Sequence, residues 1–516
     1  MIKQQRLLTG AFLLTAAGLI TRLIGFFYRI FLSHAIGAQG LGIYQMIFPL
    51  FSLAYAFSVS GIQTVLTRCI SECRAARDTD KARDFLMAGC FFSLVLSLAV
   101  SFAVSRGCGW FCLHILRQPA CIPLMKLMAW TIPFGALHIC MVSWYFAGQN
   151  TWIPSAAQLL EQLIRVAASW IFFRLMLEKG MAPTPLLAVA GTAVSEVFSF
   201  AFLLFFLQKD FRADGYRIRR CTPWKRLTAD IVRLSAPLTA NRLLLNLMHS
   251  AENLLIPFCL MQYGLSSAES LSVYGIFTGM ALPLLFFPSA ITQSLSVMLL
   301  PAVSRSRTRG ETCRIALMVE RTLCGGLLLG IYCFGIFFTC GDQLGQLLFH
   351  NAQAGRMIRV LSFLCPVLYL SASLSGVLHG LGKTTRFFFY SLTALTFRLL
   401  CVLLVVPRLG ITGCLLGIMG NELLLLILCS FTLYREGVLR FSIRDSLILP
   451  FGFLILAVGC SCFASCLPFF NHPGILWQAG LRIGVITLTY YGLSLAFGLI
   501  HLPKIRPSVY FRIDKE

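Results

Sequence analysis

The chain has 516 residues, of which 58% are hydrophobic and 12% charged, with a mean hydropathy of +0.80. A soluble domain carries about 25% charged residues as a polar coat, so most of this surface belongs in lipid and a large soluble domain is excluded. The formal net charge of +23 fits basic loops at a membrane surface rather than a nucleic-acid partner.

A spanning helix takes about 20 apolar residues. Hydropathy and turn residues predict an all-α polytopic membrane protein with fourteen spans, at 7–31, 42–66, 85–106, 123–147, 155–177, 184–207, 231–258, 271–298, 314–339, 357–380, 385–407, 411–433, 447–468 and 478–500. The start, Lys3 and Arg6 before an apolar run, has the outline of a signal peptide. However, Arg22 and Arg29 lie inside or at the end of that run. No small-x-small cleavage site precedes a polar segment, so a retained first helix is expected. The one long polar connector, 208–230, contains Lys209, Arg212, Arg217, Arg219, Arg220, Lys225 and Arg226. It follows the sixth span and divides the first twelve equally. The expected organisation is a first lobe over 1–210, a basic cytoplasmic linker over 211–230, a second lobe over 231–434, and two extra helices with a basic tail over 435–516.

Lys and Arg counts set the expected orientation. With the N-terminus inside, 28 of the 43 lie on inner segments, 9 on outer segments and 6 within spans. That excess places both termini in the cytoplasm and the protein in the cytoplasmic membrane.

The two halves resemble each other. Pro133 and Arg165 match Pro366 and Arg398 at an offset of 233, and Tyr44 and Gln63 match Tyr274 and Gln293 at 230. Gly191 with Glu196 matches Gly417 with Glu422. Six spans per copy is an even number, so the copies run the same way and relate by a pseudo-two-fold axis along the membrane normal, with a central cavity between them as the expected substrate site.

Charges within a bilayer cost on the order of 3 kcal/mol each on insertion scales and need a reason. Arg22 and Arg29 are seven residues apart and share a helical face, with Gly18 and Gly25 repeating the spacing. They suit a cationic wall on a water-filled cavity, although Arg29 also stands where a helix-end Arg snorkels. Arg242, beside Asn241 and Asn246 in the seventh span, suits substrate contact or polar glue between helices. Glu252 is the candidate for coupling to H+ or Na+, with His249 one turn from Asn253. Arg68 closes the second span as a cavity gate or an inner-leaflet anchor. Arg165 lies one turn after Glu161 and is expected to pair with it. Arg398 has no such acid nearby in sequence. Both arginines, and Glu196 with Glu422, are expected to build the lobes.

The twenty cysteines are scattered through apolar runs without a CxxC, and so behave as small hydrophobes. No metal site is expected, because His and Cys are not paired at ligand spacing. No Walker A sequence, HExxH or Ser/His/Asp arrangement occurs, so neither an ATPase engine nor another enzyme is expected.

The stretch Thr21-Arg22-Leu23-Ile24-Gly25-Phe26-Phe27-Tyr28-Arg29, followed by Ile36-Gly37-Ala38-Gln39-Gly40-Leu41-Gly42-Ile43-Tyr44, resembles the oligosaccharide flippases related to stage V sporulation protein B. These belong to the multidrug/oligosaccharidyl-lipid/polysaccharide (MOP) exporter superfamily. The basic loop Arg68 to Arg83 and the Ser235-Ala236-Pro237-Leu238 entry to the seventh span fit too. The resemblance implies two lobes alternating access to a central cavity, and polyprenyl-pyrophosphate-linked glycans such as peptidoglycan precursors as substrates, in cell-wall or spore-cortex synthesis. No cofactor is expected other than a coupling H+ or Na+. Arg22, Arg29, Arg68 and Arg242 are the residues the resemblance places in the cavity, and Asn241 beside Arg242 is a further candidate for substrate contact. The family's basic position in the eighth span has no match, since 271–298 holds no Lys or Arg. Expected partners are the lipid-linked glycan, membrane lipids and wall synthases. Two other functions suit the same sequence: a cation-coupled multidrug exporter, for which Glu252 is the feature, and a non-transporting scaffold for wall-synthesis enzymes.

Overall fold

The computed structural model describes residues 2–213, 224–465 and 474–499, and among these the regular structure is helical throughout. Half of the basic linker, the ends of the thirteenth and fourteenth predicted spans and the basic tail lie outside the described residues. In chain order the helices are α1 (Ile2–Ala75), α2 (Thr79–Trp110), α3 (Cys121–Ala147), α4 (Trp152–Glu178), α5 (Leu186–Ala213), α6 (Trp224–Gln262), α7 (Ser267–Gly275), α8 (Leu282–Thr308), α9 (Thr312–Phe349), α10 (Ala352–Leu361), α11 (Cys365–Gly380), α12 (Thr384–Leu404), α13 (Val406–Leu409), α14 (Ile411–Arg435), α15 (Leu449–Ala464) and α16 (Ile475–Ala496).

α1 contains two of the predicted spans. Its regular geometry breaks at Gly37, with φ 68° and ψ −179°, a conformation that favours glycine because it has no Cβ. Two limbs therefore meet where the sequence reads Ile36-Gly37-Ala38. Among the described residues, eleven helical stretches are long and apolar enough to cross a membrane. Separating the limbs of α1 and adding α4 and α16 gives fourteen helical segments, matching the predicted spans one for one.

By contact the chain divides into two compact units, Met1–Ala290 with Leu392–Asn421, and Ile291–Ser391 with Glu422–Glu516. This division differs from the lobe boundaries expected at 210 and 231. In the first unit α1 packs on α6, α7 and α3, so the seventh span belongs by contact with the first two. In the second unit α9 is the central helix, flanked by α10, α11, α15 and α16.

Lipid tails are as apolar as leucine, so close packing and interhelical hydrogen bonds hold such helices together. Ser250 Oγ donates to the Pro49 carbonyl at 2.9 Å and ties α6 to α1. Tyr332 and Thr487 share a 2.7 Å hydroxyl hydrogen bond that ties α9 to α16.

The sequence repeat reappears as repeated contacts. His138 Nδ1 lies 3.8 Å from Glu196 Oε2, joining α3 to α5. Ser371, 233 residues after His138, donates through Oγ to Glu422 Oε2 at 2.5 Å, joining α11 to α14. Gly191 abuts the Arg165 carbonyl, and Gly417 abuts that of Arg398. Each arginine engages a carboxylate through Nη2, and each Nε is buried without a hydrogen-bond partner.

The cysteines follow the hydrophobic reading. All those described are free, and most are buried.

Candidate substrate-binding arginines

The first limb of α1 is amphipathic in a particular sense. Tyr28 turns inward, where its hydroxyl hydrogen-bonds Ser169 Oγ at 2.8 Å on α4. Arg22 and Arg29 occupy an exposed face. A Cβ on Gly18 or Gly25 would meet nothing within 4 Å. The two glycines are thus not a packing seam between helices; they keep the arginine face open.

Arg242 lies on α6 and reaches the second limb of α1. Its Nη1 donates to the Ser60 carbonyl at 2.7 Å and its Nη2 to Thr64 Oγ1 at 3.3 Å. The reach is possible because the helices nearly touch one turn away. A side chain at Gly61 would collide with Thr239, and its Cβ would lie 2.5 Å from the Ser235 carbonyl oxygen. Arg242 is nonetheless exposed, and a guanidinium has five N–H donors, so donors remain after both bonds. Asn241 beside it is exposed as well. Ser60 and Thr64 escaped sequence reasoning, which treats small hydroxyl residues in a helix as unremarkable.

Arg68 sits near the end of the second limb. Its Nε donates to Glu72 Oε1 at 2.8 Å, one turn away, with both side chains largely exposed. This is a surface pair, of a kind that contributes little to stability.

Glu252 is placed differently from these arginines. It is 2% exposed, and Arg398 Nη2 lies 2.5 Å from its Oε1. His249 Nδ1 is 3.9 Å from the other carboxylate oxygen. Arg398 has no acid one turn away, yet it does have a partner. Its acid comes from another helix, far away in sequence, where local spacing gives no signal. The pair Arg165 with Glu161 forms as expected. A carboxylate already engaged by a guanidinium is not an empty cation site, so a coupling metal ion would compete with Arg398 for it. Among the described residues, no three His, Cys, Asp or Glu side chains gather as metal ligands.

The family model for polysaccharide biosynthesis proteins matches residues 7–307, a stretch that contains all the candidate arginines. The chain belongs to this family. Among its relatives is stage V sporulation protein B of Bacillus subtilis (strain 168), 26% identical over 512 residues and covering 98% of both chains. The lipid II flippase MurJ of the same organism is 26% identical over 176 residues, 31% of each chain. Among solved structures, lipid II flippase MurJ in an inward closed conformation aligns at a TM-score of 0.74 with 12% identity, over 94% of this chain and 98% of that one. An inward-facing multidrug resistance MATE family transporter of the MOP superfamily aligns at 0.58 with 16% identity, over 81% and 95%. This polysaccharide biosynthesis family protein is thus a multi-pass membrane protein with the MOP superfamily fold.

Proposed function

We propose that this protein is a flippase that moves a polyprenyl-pyrophosphate-linked oligosaccharide or peptidoglycan precursor across the cytoplasmic membrane by alternating access. The observation that carries the proposal is the open, exposed face of α1 bearing Arg22 and Arg29 in a family named for polysaccharide biosynthesis. A pyrophosphate is a compact anion, and guanidinium offers it permanent charge with paired hydrogen bonds. Arg242 and Asn241 are the matching groups on α6, and Arg68 stands at the end of the second limb. The names of two relatives, a sporulation protein and a lipid II flippase, make spore or cell-wall polysaccharide synthesis the fitting process. Both termini face the cytoplasm, and wall synthases are the partners such a supply would serve. Transport without chemical change of the substrate needs no catalytic residue.

The drug-exporter alternative rests on Glu252, whose carboxylate is engaged by Arg398; an anionic substrate therefore fits better than a cationic one.

The test uses purified protein in vesicles with undecaprenyl-pyrophosphate-linked glycan. Binding and transfer should both occur, and Arg22→Ala, Arg29→Ala or Arg242→Ala should each weaken binding about ten- to a hundredfold, the equivalent of about 1.5–3 kcal/mol for one charge-assisted contact. Full binding by all three variants would sink the proposal.

A further inference from the structure

The turn between α8 and α9 gathers arginines around a cavity lined by residues with no place in the proposed translocation path. Arg305, Arg309 and Arg314 line a space of about 140 Å3 with Ser306, Glu311 and Met318. Roughly 10–15 Å3 admits one water, so the space is ample for a hydrated oxyanion. Glu311 organises its rim. One carboxylate oxygen accepts from Arg314 Nη1 at 3.2 Å and from the buried Ser306 hydroxyl at 3.1 Å. The other lies 4.0 Å from Arg309 Nη1.

One carboxylate cannot neutralise three guanidinium groups, so the lining keeps a surplus of positive charge. It also keeps unused donors, because each guanidinium has five. Arg307, in the same turn, is committed elsewhere: its Nη1 donates to the Leu381 carbonyl. Arg305 also donates from Nε to the Pro301 carbonyl at 3.3 Å, but it lines the cavity with Arg309 and Arg314, whereas Arg307 does not. The cavity lies at the turn joining two helical stretches long and apolar enough to cross a membrane, Ser267–Thr308 and Thr312–Phe349, and the ends of spanning helices emerge among lipid headgroups. Charge counting assigns this turn to the cytoplasmic side, where anionic lipids attract basic residues.

We propose that the α8–α9 turn is a phosphate-binding site separate from the translocation arginines, and that its ligand is the headgroup phosphate of an anionic phospholipid. Guanidinium binds phosphate in paired, directional bonds. A choline headgroup would bring a cation against Arg309 and Arg314 and should be rejected.

Full-length protein in neutral detergent is titrated with phosphatidylglycerol, phosphatidylcholine and inorganic phosphate, and bound ligand is read by native mass spectrometry with thermal unfolding alongside. Phosphatidylglycerol should bind saturably and at least tenfold tighter than phosphatidylcholine. Arg309→Gln with Arg314→Gln should weaken it about tenfold or more. Lys81→Gln with Lys179→Gln, which removes the same charge elsewhere, should change it less than about twofold. Saturable inorganic phosphate binding with the same dependence on Arg309 and Arg314 would support the site but assign it to soluble phosphate. Equal loss in the two double variants would mean that net charge attracts the lipid, and would overturn the site. Should the arginine double variant fail to accumulate, Glu311→Gln keeps all three arginines and should tighten binding; unchanged affinity there would equally overturn it.

Discussion

Arg398 and Glu252 form a buried ion pair between α12 and α6, with Nη2 2.5 Å from Oε1. Two desolvated charges need not stabilise a fold better than two apolar side chains would, but leaving one of them alone is severe, on the order of 3–5 kcal/mol. Arg398→Met or Glu252→Gln alone should therefore reduce accumulation in the membrane and lower the melting temperature in detergent. Arg398→Met combined with Glu252→Leu should recover most of the loss. A single variant as stable as the parent would show that the pair does not carry this joint.

The two repeats share a joint whose tolerances differ. A methyl group on Gly191 would collide with Ser169 Oγ and lie 2.9 Å from the Arg165 carbonyl oxygen. On Gly417 it would meet Cys401 Cβ at 3.1 Å and the Arg398 carbonyl oxygen at 3.5 Å. Overpacking costs about 1–3 kcal/mol. Gly191→Ala should lie within that range and Gly417→Ala well below it, as measured by thermal unfolding. Equal losses would mean that the helix pairs relax alike.

The spans were legible because composition decides them: apolar runs of the right length have few alternatives in lipid. The repeat was legible because Pro133, Arg165, Pro366 and Arg398 hold one offset, and its consequence, Glu196 and Glu422 each tying two helices of their own copy, followed from position. Three features were not legible. Gly37 sits among good helix formers, so the joined limbs of α1 depend on a backbone angle that no periodicity reports. The partner of Arg398 lies on a helix that packing, not spacing, brings near. The division into contact units depends on α6 packing on α1, a choice that equally apolar helix faces do not announce. For the site, the shared face of Arg22 and Arg29 could be read from their separation, while the bonds from Arg242 to Ser60 and Thr64 could not.

A pH dependence follows from Glu436, which lies just past the end of α14 and outside the span. Lys383 Nζ bonds its Oε1 at 2.7 Å, and Arg386 Nη1 is 3.9 Å away. The Lys383 hydrogen bond, aided by the surrounding cations, holds the carboxyl below its ordinary value of 4.5. A depressed pKa contributes stability that is present above the unfolded value and lost as pH falls through the folded one. Glu436→Gln should thus lower the melting temperature at pH 7, and the gap to the parent should narrow as pH falls below the ordinary carboxylate value. A gap that persists unchanged at pH 3 would point to lost packing rather than lost charge.

Topology is open to direct measurement. Reporter fusions at Lys225 and Ser306 should report cytoplasm, and fusions at Pro119 and Ala352 the outside, because the inner segments carry the excess of Lys and Arg. An external Ser306 would reverse the orientation and remove the inner-leaflet setting of the α8–α9 cavity.

The open glycines of α1 separate a substrate path from a lipid-facing surface. Gly18 and Gly25 each stand four residues before an arginine on the same face, and neither has a neighbour within 4 Å of where a Cβ would sit. A Cβ can therefore be added at either position without collision, and leucine, which starts from that open space, is a better helix former than glycine by most of a kcal/mol. Gly18→Leu and Gly25→Leu should accumulate normally and melt at or above the parent temperature. If the face lines the path of a bulky lipid-linked glycan, the added side chains should obstruct it, cutting transfer about tenfold or more while Arg22 and Arg29 remain in place. A leucine that faced lipid would change nothing. Normal transfer by both stable variants would therefore remove this face of α1 from the substrate path, and Arg22 and Arg29 with it. Reduced transfer accompanied by reduced stability would instead show that these positions pack. Cysteine at Gly18 or Gly25, in a background freed of native cysteines, supplies the complementary measurement: a charged thiol reagent should label it from water, and the lipid-linked glycan should slow that labelling.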